Sequence, residues 1–293
     1  MAPTRIRSAP TIGGVTTVPT YDLNDDRSIP ALGFGTYPLS GNQAVEATLS
    51  ALELGYRLVD TAVSYGNEAE VGEAVRRSGL PREDVFVTSK LPGRHHGYDD
   101  AIASTKESLS RLGLDYLDLH LIHWPNPSVG KYAEAWRALV DLREQGLVRS
   151  IGVSNFTGAH LERILAETGV TPAVNQIELH PRFPQEEMRR VNAELGIRTQ
   201  AWSPLGKRNA PYDETPVRVA AERIGVTPAQ VVLRWHVELG SLPIPKSATP
   251  ERQAQNLDVF GFSLTDEDVA AITALGEPDG RLFGGDPDHH EEM

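Results

Sequence analysis

The sequence predicts an α/β protein, a (β/α)8 TIM barrel with an N-terminal β-hairpin and a short C-terminal tail. Three observations predict it: short β-rich apolar runs alternate with longer stretches of helical periodicity, the alternation persists through eight units, and 293 residues at 40% hydrophobic content suit one barrel domain. We expect residues 1–18 to form a flexible extension, 19–285 the barrel and 286–293 an acidic tail.

The opening stretch, MAPTRIRSAPTIGGVTTV, mixes Pro, Gly, Ser and Thr with isolated apolar residues and lacks the apolar centre of a secretory signal. A cytoplasmic protein is expected on that ground. Next, TYDL and SIPAL flank the polar NDDR, a hairpin pattern suited to closing the bottom of a barrel. The expected barrel strands then follow in order: ALGFGT, RLVDTA, VFVTSK, LDLHLIH, SIGVSN, AVNQ, RTQAW and LPIPKS. Between them Tyr132, Trp136, Leu139 and Val140 recur at helical spacing, as do Ile102, Leu109 and Leu112, so these stripes should face the sheet. Thr227-Pro228 and Thr249-Pro250 each set a hydroxyl N-cap before a proline whose missing N–H costs no helix bond.

Composition excludes several function classes. A net charge of −12 and an acidic pI offer no basic face for nucleic acid. With no cysteine there is no disulfide, thiolate nucleophile or Cys-ligated metal, and no apolar run is long enough to span a bilayer.

In barrels of this kind the chemistry sits at the C-terminal ends of the strands. Here those ends carry Thr36 and Tyr37, Asp60, Lys90, His123, Ser154 with Asn155, Gln176, Trp202 with Ser203, and Lys246 with Ser247. Each alone has an ordinary explanation, since an Asp can cap a helix and a buried His is more often packed than reactive. Together, Asp60, Tyr65, Lys90 and His123 bring a carboxylate, a phenol, an ammonium and an imidazole to one mouth. An ammonium at Lys90 should lower the Tyr65 pKa while Asp60 keeps that lysine charged and oriented. Tyr65 could then donate a proton, and His123 a hydrogen bond, to a carbonyl oxygen gaining charge as hydride adds to its carbon. No metal is needed.

VDTAVSYGNE, VTSKLPG, DLHLIHWP, SIGVSNF, NQIELHP, AWSPLG and IPKS with ERQAQNLDVF, in that order over residues 20–285, resemble the aldo-keto reductases, in their bacterial 2,5-diketo-gluconate reductase-like branch. The resemblance implies Asp60, Tyr65, Lys90 and His123 as the catalytic tetrad and NADPH as cofactor. It further implies that Thr36, Ser154, Asn155, Gln176, Ser203, Leu205 and Gly206 line the cofactor site, with Trp202 stacked on the nicotinamide where most relatives carry Tyr. Lys246, Ser247 and Arg252 match the segment that holds the adenosine 2′-phosphate, with Gln255 and Asn256 near the adenine. Gln255 stands where relatives usually have Glu, and Thr249 replaces a basic residue found in some. Tyr37, Trp124 and Asn126 sit beside the proposed centre as candidate walls of a substrate pocket for small aldehydes, ketoacids or keto-sugars.

Other motifs are discounted. No G-x-G-x-x-G lies between a strand and a helix, so a Rossmann site is excluded. His120 and His123, at odd spacing on a strand, face opposite ways and cannot share a metal. His95-His96 and His289-His290 read as solvated, although the tail could partly cover the pocket. Lys207 and Arg208 serve cofactor phosphates or solvate a loop. The sequence therefore predicts a monomeric carbonyl reductase with small-molecule partners; the alternative is an NADP(H)-binding regulatory subunit with little turnover. A metal-dependent hydrolase is disfavoured because no His-x-His pair is present.

Overall fold

The computed structural model describes residues 6, 7 and 18–292. Strands β2 (Thr20–Asp22) and β3 (Ser28–Pro30) pair antiparallel, with β1 (Ile6–Arg7) on the outer side of β2. Apart from Ile6, Arg7 and Val18, the extension expected over 1–18 lies outside the described residues.

The expected hairpin is therefore present, and its apolar face explains its position. Tyr21, Ile29 and Leu32 are fully buried and pack with Leu119, Val174 and Leu242 of the barrel interior. Burying such side chains stabilises the closure by roughly 1.5–3 kcal/mol each relative to exposure.

The eight predicted barrel strands all form: β4 (Phe34–Gly35), β5 (Leu58–Asp60), β6 (Phe86–Leu91), β7 (Leu117–Ile122), β8 (Val148–Ser154), β9 (Val174–Glu178), β10 (Arg198–Trp202) and β11 (Leu242–Pro243). They run parallel, each beside the next in sequence. Closure comes from Gly33 N–H donating to Pro243 O at 3.1 Å and Gly35 N–H to Pro245 O at 3.0 Å. The approach at Gly35 is close, because a Cβ would stand 3.1 Å from Ile244 Cγ2 and 3.2 Å from the Ile244 carbonyl oxygen.

The helices are α1 (Gly41–Leu54), α2 (Glu68–Arg77), α3 (Tyr98–Leu112), α4 (Tyr132–Glu144), α5 (Gly158–Thr168), α6 (Glu186–Glu194), α7 (Thr215–Ile224), α8 (Pro228–Glu238), α9 (Pro250–Leu257) and α10 (Asp266–Thr273). Each of β4 to β9 is followed by one helix, whereas β10 and β11 are each followed by two. The predicted stripes face inward: Tyr132, Trp136, Leu139, Leu109 and Leu112 are buried, while Val140 and Ile102 flank the same cluster. Thr227 caps α8 by accepting from Gln230 N–H at 3.3 Å. Thr249 precedes α9 as expected but makes no side-chain cap; instead Ser247 Oγ accepts the Thr249 N–H at 3.1 Å.

Strand β7 fixes the site by its alternation. Leu119 and Leu121 belong to the barrel interior, whereas Ile122 packs in the helix layer. His123 therefore falls on the inward side just past the strand, at the mouth. His120 faces outward, wholly buried, with Nδ1 3.1 Å from Ser89 O, and burial pushes its pKa down to about 4. It is a neutral core residue, and among the described residues no group of three or more His, Cys, Asp or Glu could hold a metal.

Gly72 gives a test of how closely the helix layer is packed. A Cβ at that position would lie 1.9 Å from Leu112 O at the end of α3, the carbonyl that also accepts from Arg76 Nη1 at 2.8 Å. Gly72→Ala should destabilise the protein by about 1–3 kcal/mol through overpacking. Urea unfolding should show a lower midpoint with an unchanged slope.

Candidate active site

At the C-terminal mouth lies a cleft of 710 Å³ whose walls include Thr36, Tyr37, Asp60, Tyr65, His123 and Trp202. Behind the lining residues Asp60 and Tyr65 lies Lys90, fully buried on β6. A buried ammonium needs acceptors for all three of its N–H groups. Lys90 has three: Asp60 Oδ1 at 2.5 Å, Thr61 O at 2.9 Å and Tyr65 Oη at 3.2 Å. Asp60 ends β5, and a 3-10 turn over Val63–Tyr65 then folds the phenol back above the lysine. Burial works to lower the Lys90 pKa, but Asp60 and Tyr65 outweigh it and the net direction is up. Lys90 is thus a permanent cation.

The expectation for Tyr65 is corrected by this environment. Burial raises the phenol's pKa and is the largest effect; Lys90 pulls it down, Asp60 and Glu292 push it up, and the result lies above the ordinary value. The lysine moderates the shift without reversing it. Tyr65 consequently keeps its proton at neutral pH. With all three Lys90 donors already spent, Oη accepts from the lysine and its own proton is free to point elsewhere.

Around this pair the polar residues form a linked set. Gln176 Nε2 donates to Asp60 Oδ2 at 2.8 Å and to Gln200 Oε1 at 2.7 Å. Thr36 Oγ1 donates to Asp60 O at 3.0 Å. Ser154 Oγ donates to Gln176 O and accepts from Asn155 Nδ2, while Asn155 Oδ1 accepts from Trp202 Nε1 at 2.8 Å. That last bond fixes the indole, which lines the cleft and faces the Phe283 ring with centroids 6.3 Å apart. Asn155, Ser203 and Lys207 all hold positive φ, a costly conformation for residues with a Cβ, and all three line the cleft.

The structure gathers most, not all, of the predicted residues. Thr36, Asn155, Gln176, Trp202, Ser203, Leu205 and Lys246 line the cleft, with Tyr37 and Trp124 as aromatic walls. Ser154 supports from behind, and Gly206 sits buried below the Ser203–Lys207 turn, its N–H donating to Ser203 O at 2.9 Å. Arg252 and Gln255 are exposed on α9, whereas Asn256 of that helix and Ser247 before it are buried; burial raises the pKa of Tyr212 on the cleft wall, and Arg252 is near enough to offset part of that rise. Asn126 is a correction: it is fully buried at φ 47° and does not line the cleft, because its amide donates to the backbone oxygen of Glu292 at 2.6 Å.

Three groups were missed or undervalued. Gln200, in the middle of β10, is not among the predicted site residues; its Nε2 is buried without a partner. Lys207 stands 4.5 Å from the Phe283 ring, and burial and then Lys246 lower its pKa, so two ammonium groups share one rim. Glu292, from the tail, lies with Oε1 2.7 Å from His123 Nδ1 and accepts from Ser64 Oγ at 2.6 Å. Its carboxyl is raised by burial but lowered more by His123 and Ser64, ending below the usual range. An acid run at the end of an acidic protein gave no signal of that.

Comparison with known proteins agrees with the geometry. The sequence profile of the aldo/keto reductase family matches residues 31–277. The chain is 57% identical over 276 residues to 2,5-diketo-D-gluconic acid reductase B of a Corynebacterium species, covering 94% of this chain and 99% of that one. An aldo/keto reductase structure from Brucella melitensis superposes with TM-score 0.85 at 49% identity, covering 88% and 100% of the two chains. A Bombyx mori aldo-keto reductase in complex with NADP gives TM-score 0.84 at 37% identity, covering 89% and 93%. The chain belongs to the aldo/keto reductase family. It is an oxidoreductase of the carbonyl/alcohol pair.

The Lys90–Asp60 pair can be tested by stability alone. Lys90→Met leaves a buried carboxylate unpaired and should cost about 3–5 kcal/mol, part of which Asp60→Asn should restore in the double variant. Denaturant titration of the four proteins of that cycle measures the coupling.

Proposed function

We propose that the chain uses NADPH to reduce small aldehydes and ketones, keto-sugars and ketoacids among them, to alcohols. The observation that carries this reading is the Tyr65 phenol, protonated at neutral pH and seated on a lysine whose donors are all engaged. The cofactor site fits the residues present. Trp202 offers an aromatic ring held by Asn155, Gln176 stands on the same cleft wall, and Lys207 with Lys246 forms a cationic rim for phosphates.

In this reading Ser154, Asn155 and Gln176 orient the carboxamide, Lys246, Ser247 and Arg252 hold the 2′-phosphate, and Gln255 with Asn256 meets the adenine. When bound, the reduced nicotinamide supplies a hydride equivalent to the carbonyl carbon. As it does, the C=O π pair moves onto oxygen, His123 stabilises the developing alkoxide, and Tyr65 gives up its proton to complete the alcohol. Lys90 then compensates the phenolate, and Asp60 keeps the lysine in place.

A cytoplasmic monomer acting on small molecules is the setting we propose. It is supported by Asp60, Tyr65 and His123 meeting in one cleft without a contribution from a second subunit being needed, and among the described residues no helix is long and apolar enough to cross a membrane. No nucleic-acid partner is proposed, given the acidic charge.

Tyr65→Phe should lower kcat by about two to four orders of magnitude while leaving the NADPH dissociation constant nearly unchanged, since the lost proton acts only after binding. Stopped-flow turnover with fluorescence titration of NADPH checks both. Tight NADPH binding by the parent chain with no turnover across a carbonyl panel would favour the regulatory alternative instead.

For cofactor choice, Arg252→Ala should weaken NADPH far more than NADH, because only the former presents the extra phosphate. Parallel losses measured for the two cofactors would remove Arg252 from that role.

A further inference from the structure

The C-terminal segment does more than cover the mouth. Leu282 is an anchor: it is buried, its N–H donates to the Glu178 carboxylate at 2.6 Å, and its carbonyl accepts from Arg208 at 3.2 Å. Two glycines follow, Gly284 at φ 63° with open space around it and Gly285 packed so closely on Trp124 that a Cβ would lie 2.9 Å from the indole. Beyond this hinge the chain turns and docks. His290 packs on Trp124 at 4.1 Å, Ser128 N–H donates to Glu291 at 2.8 Å, and Asn126 grips the Glu292 carbonyl.

The docked end places one carboxylate in a telling position. A reacting carbonyl oxygen has to lie about 2.7–3.1 Å from the donor that will stabilise it. Glu292 Oε1 lies 2.7 Å from His123 Nδ1, in the cleft that the Tyr65 ring also lines, and near enough to that phenol to push its pKa up. The other Glu292 oxygen, Oε2, is buried without a partner, so this carboxylate is incompletely satisfied where it sits.

We propose that Glu292 is an intramolecular competitor for the carbonyl-oxygen position, so that substrate binds only after the segment beyond Gly284–Gly285 swings away. This rests on the reading of Tyr65 and His123 as the carbonyl site. It makes Glu292 a determinant of KM: a tail docked in nine molecules of ten raises the apparent KM about tenfold. Free small carboxylates meet the same competition.

The test is steady-state kinetics with NADPH and a neutral aldehyde, using the full chain, Glu292→Ala, Glu292→Gln and, as a charge control, Glu267→Ala on the exposed first turn of α10. Both Glu292 variants should lower KM, the alanine by about tenfold, with kcat held within about twofold. The inhibition constant of acetate should fall with KM, and the Glu267 control should match the parent. A KM or acetate constant that stays within about twofold of the parent, or rises, in Glu292→Ala overturns the proposal. Tyr65→Phe, run alongside, separates the failures: normal turnover in that variant sinks the site assignment itself, whereas an inactive Tyr65→Phe with an unchanged Glu292→Ala sinks only the competitor.

Discussion

The site depends on the burial of one ammonium group. Lys90 has no exposed surface, and an ion so placed is tolerable only if each N–H finds an acceptor. Asp60, Thr61 and Tyr65 meet that demand, and in doing so they determine the shape of everything above. The 3-10 turn after β5 exists to bring the phenol within reach, Gln176 holds the second oxygen of Asp60, and Gln200 holds Gln176. A requirement of charge solvation in the interior thus becomes an orientation requirement at the surface of the cleft.

The same burial governs the phenol. Three influences oppose the lysine at Tyr65, and the largest of them is loss of water. A donor with its pKa above the usual phenol range holds its proton more firmly until charge develops on a neighbouring oxygen. On the proposed reading, the site thereby ties proton release to the bond-making step.

Much of this was legible in the sequence because it follows from local periodicity. Period-two alternation located β7 and placed His123 inward and His120 outward; stripes such as Tyr132, Trp136 and Leu139 located α4; Thr-Pro pairs marked the starts of α8 and α9. What escaped depends on contacts between distant residues. Ser64 meets Glu292 across 228 positions, and Asn126 meets the same residue across 166. No pattern in either segment carries that meeting. Nor does sequence reveal that desolvation outweighs Lys90 at Tyr65, because the balance is set by the walls of the cleft. The proposed tetrad could be picked out since its members end predicted strands or, like Tyr65, follow one by a few residues; Gln200, lying mid-strand, could not.

The closure of the barrel has a consequence for how the chain is made. Gly33 and Gly35, near the start, bond to Pro243 and Pro245, near the end. While the polypeptide emerges from the ribosome, β4 therefore presents an unpaired strand edge until Pro243 and Pro245 have been synthesised. An open edge of this kind invites pairing with other chains. Its brevity, two residues of ladder, limits what an intruder could grip during that wait.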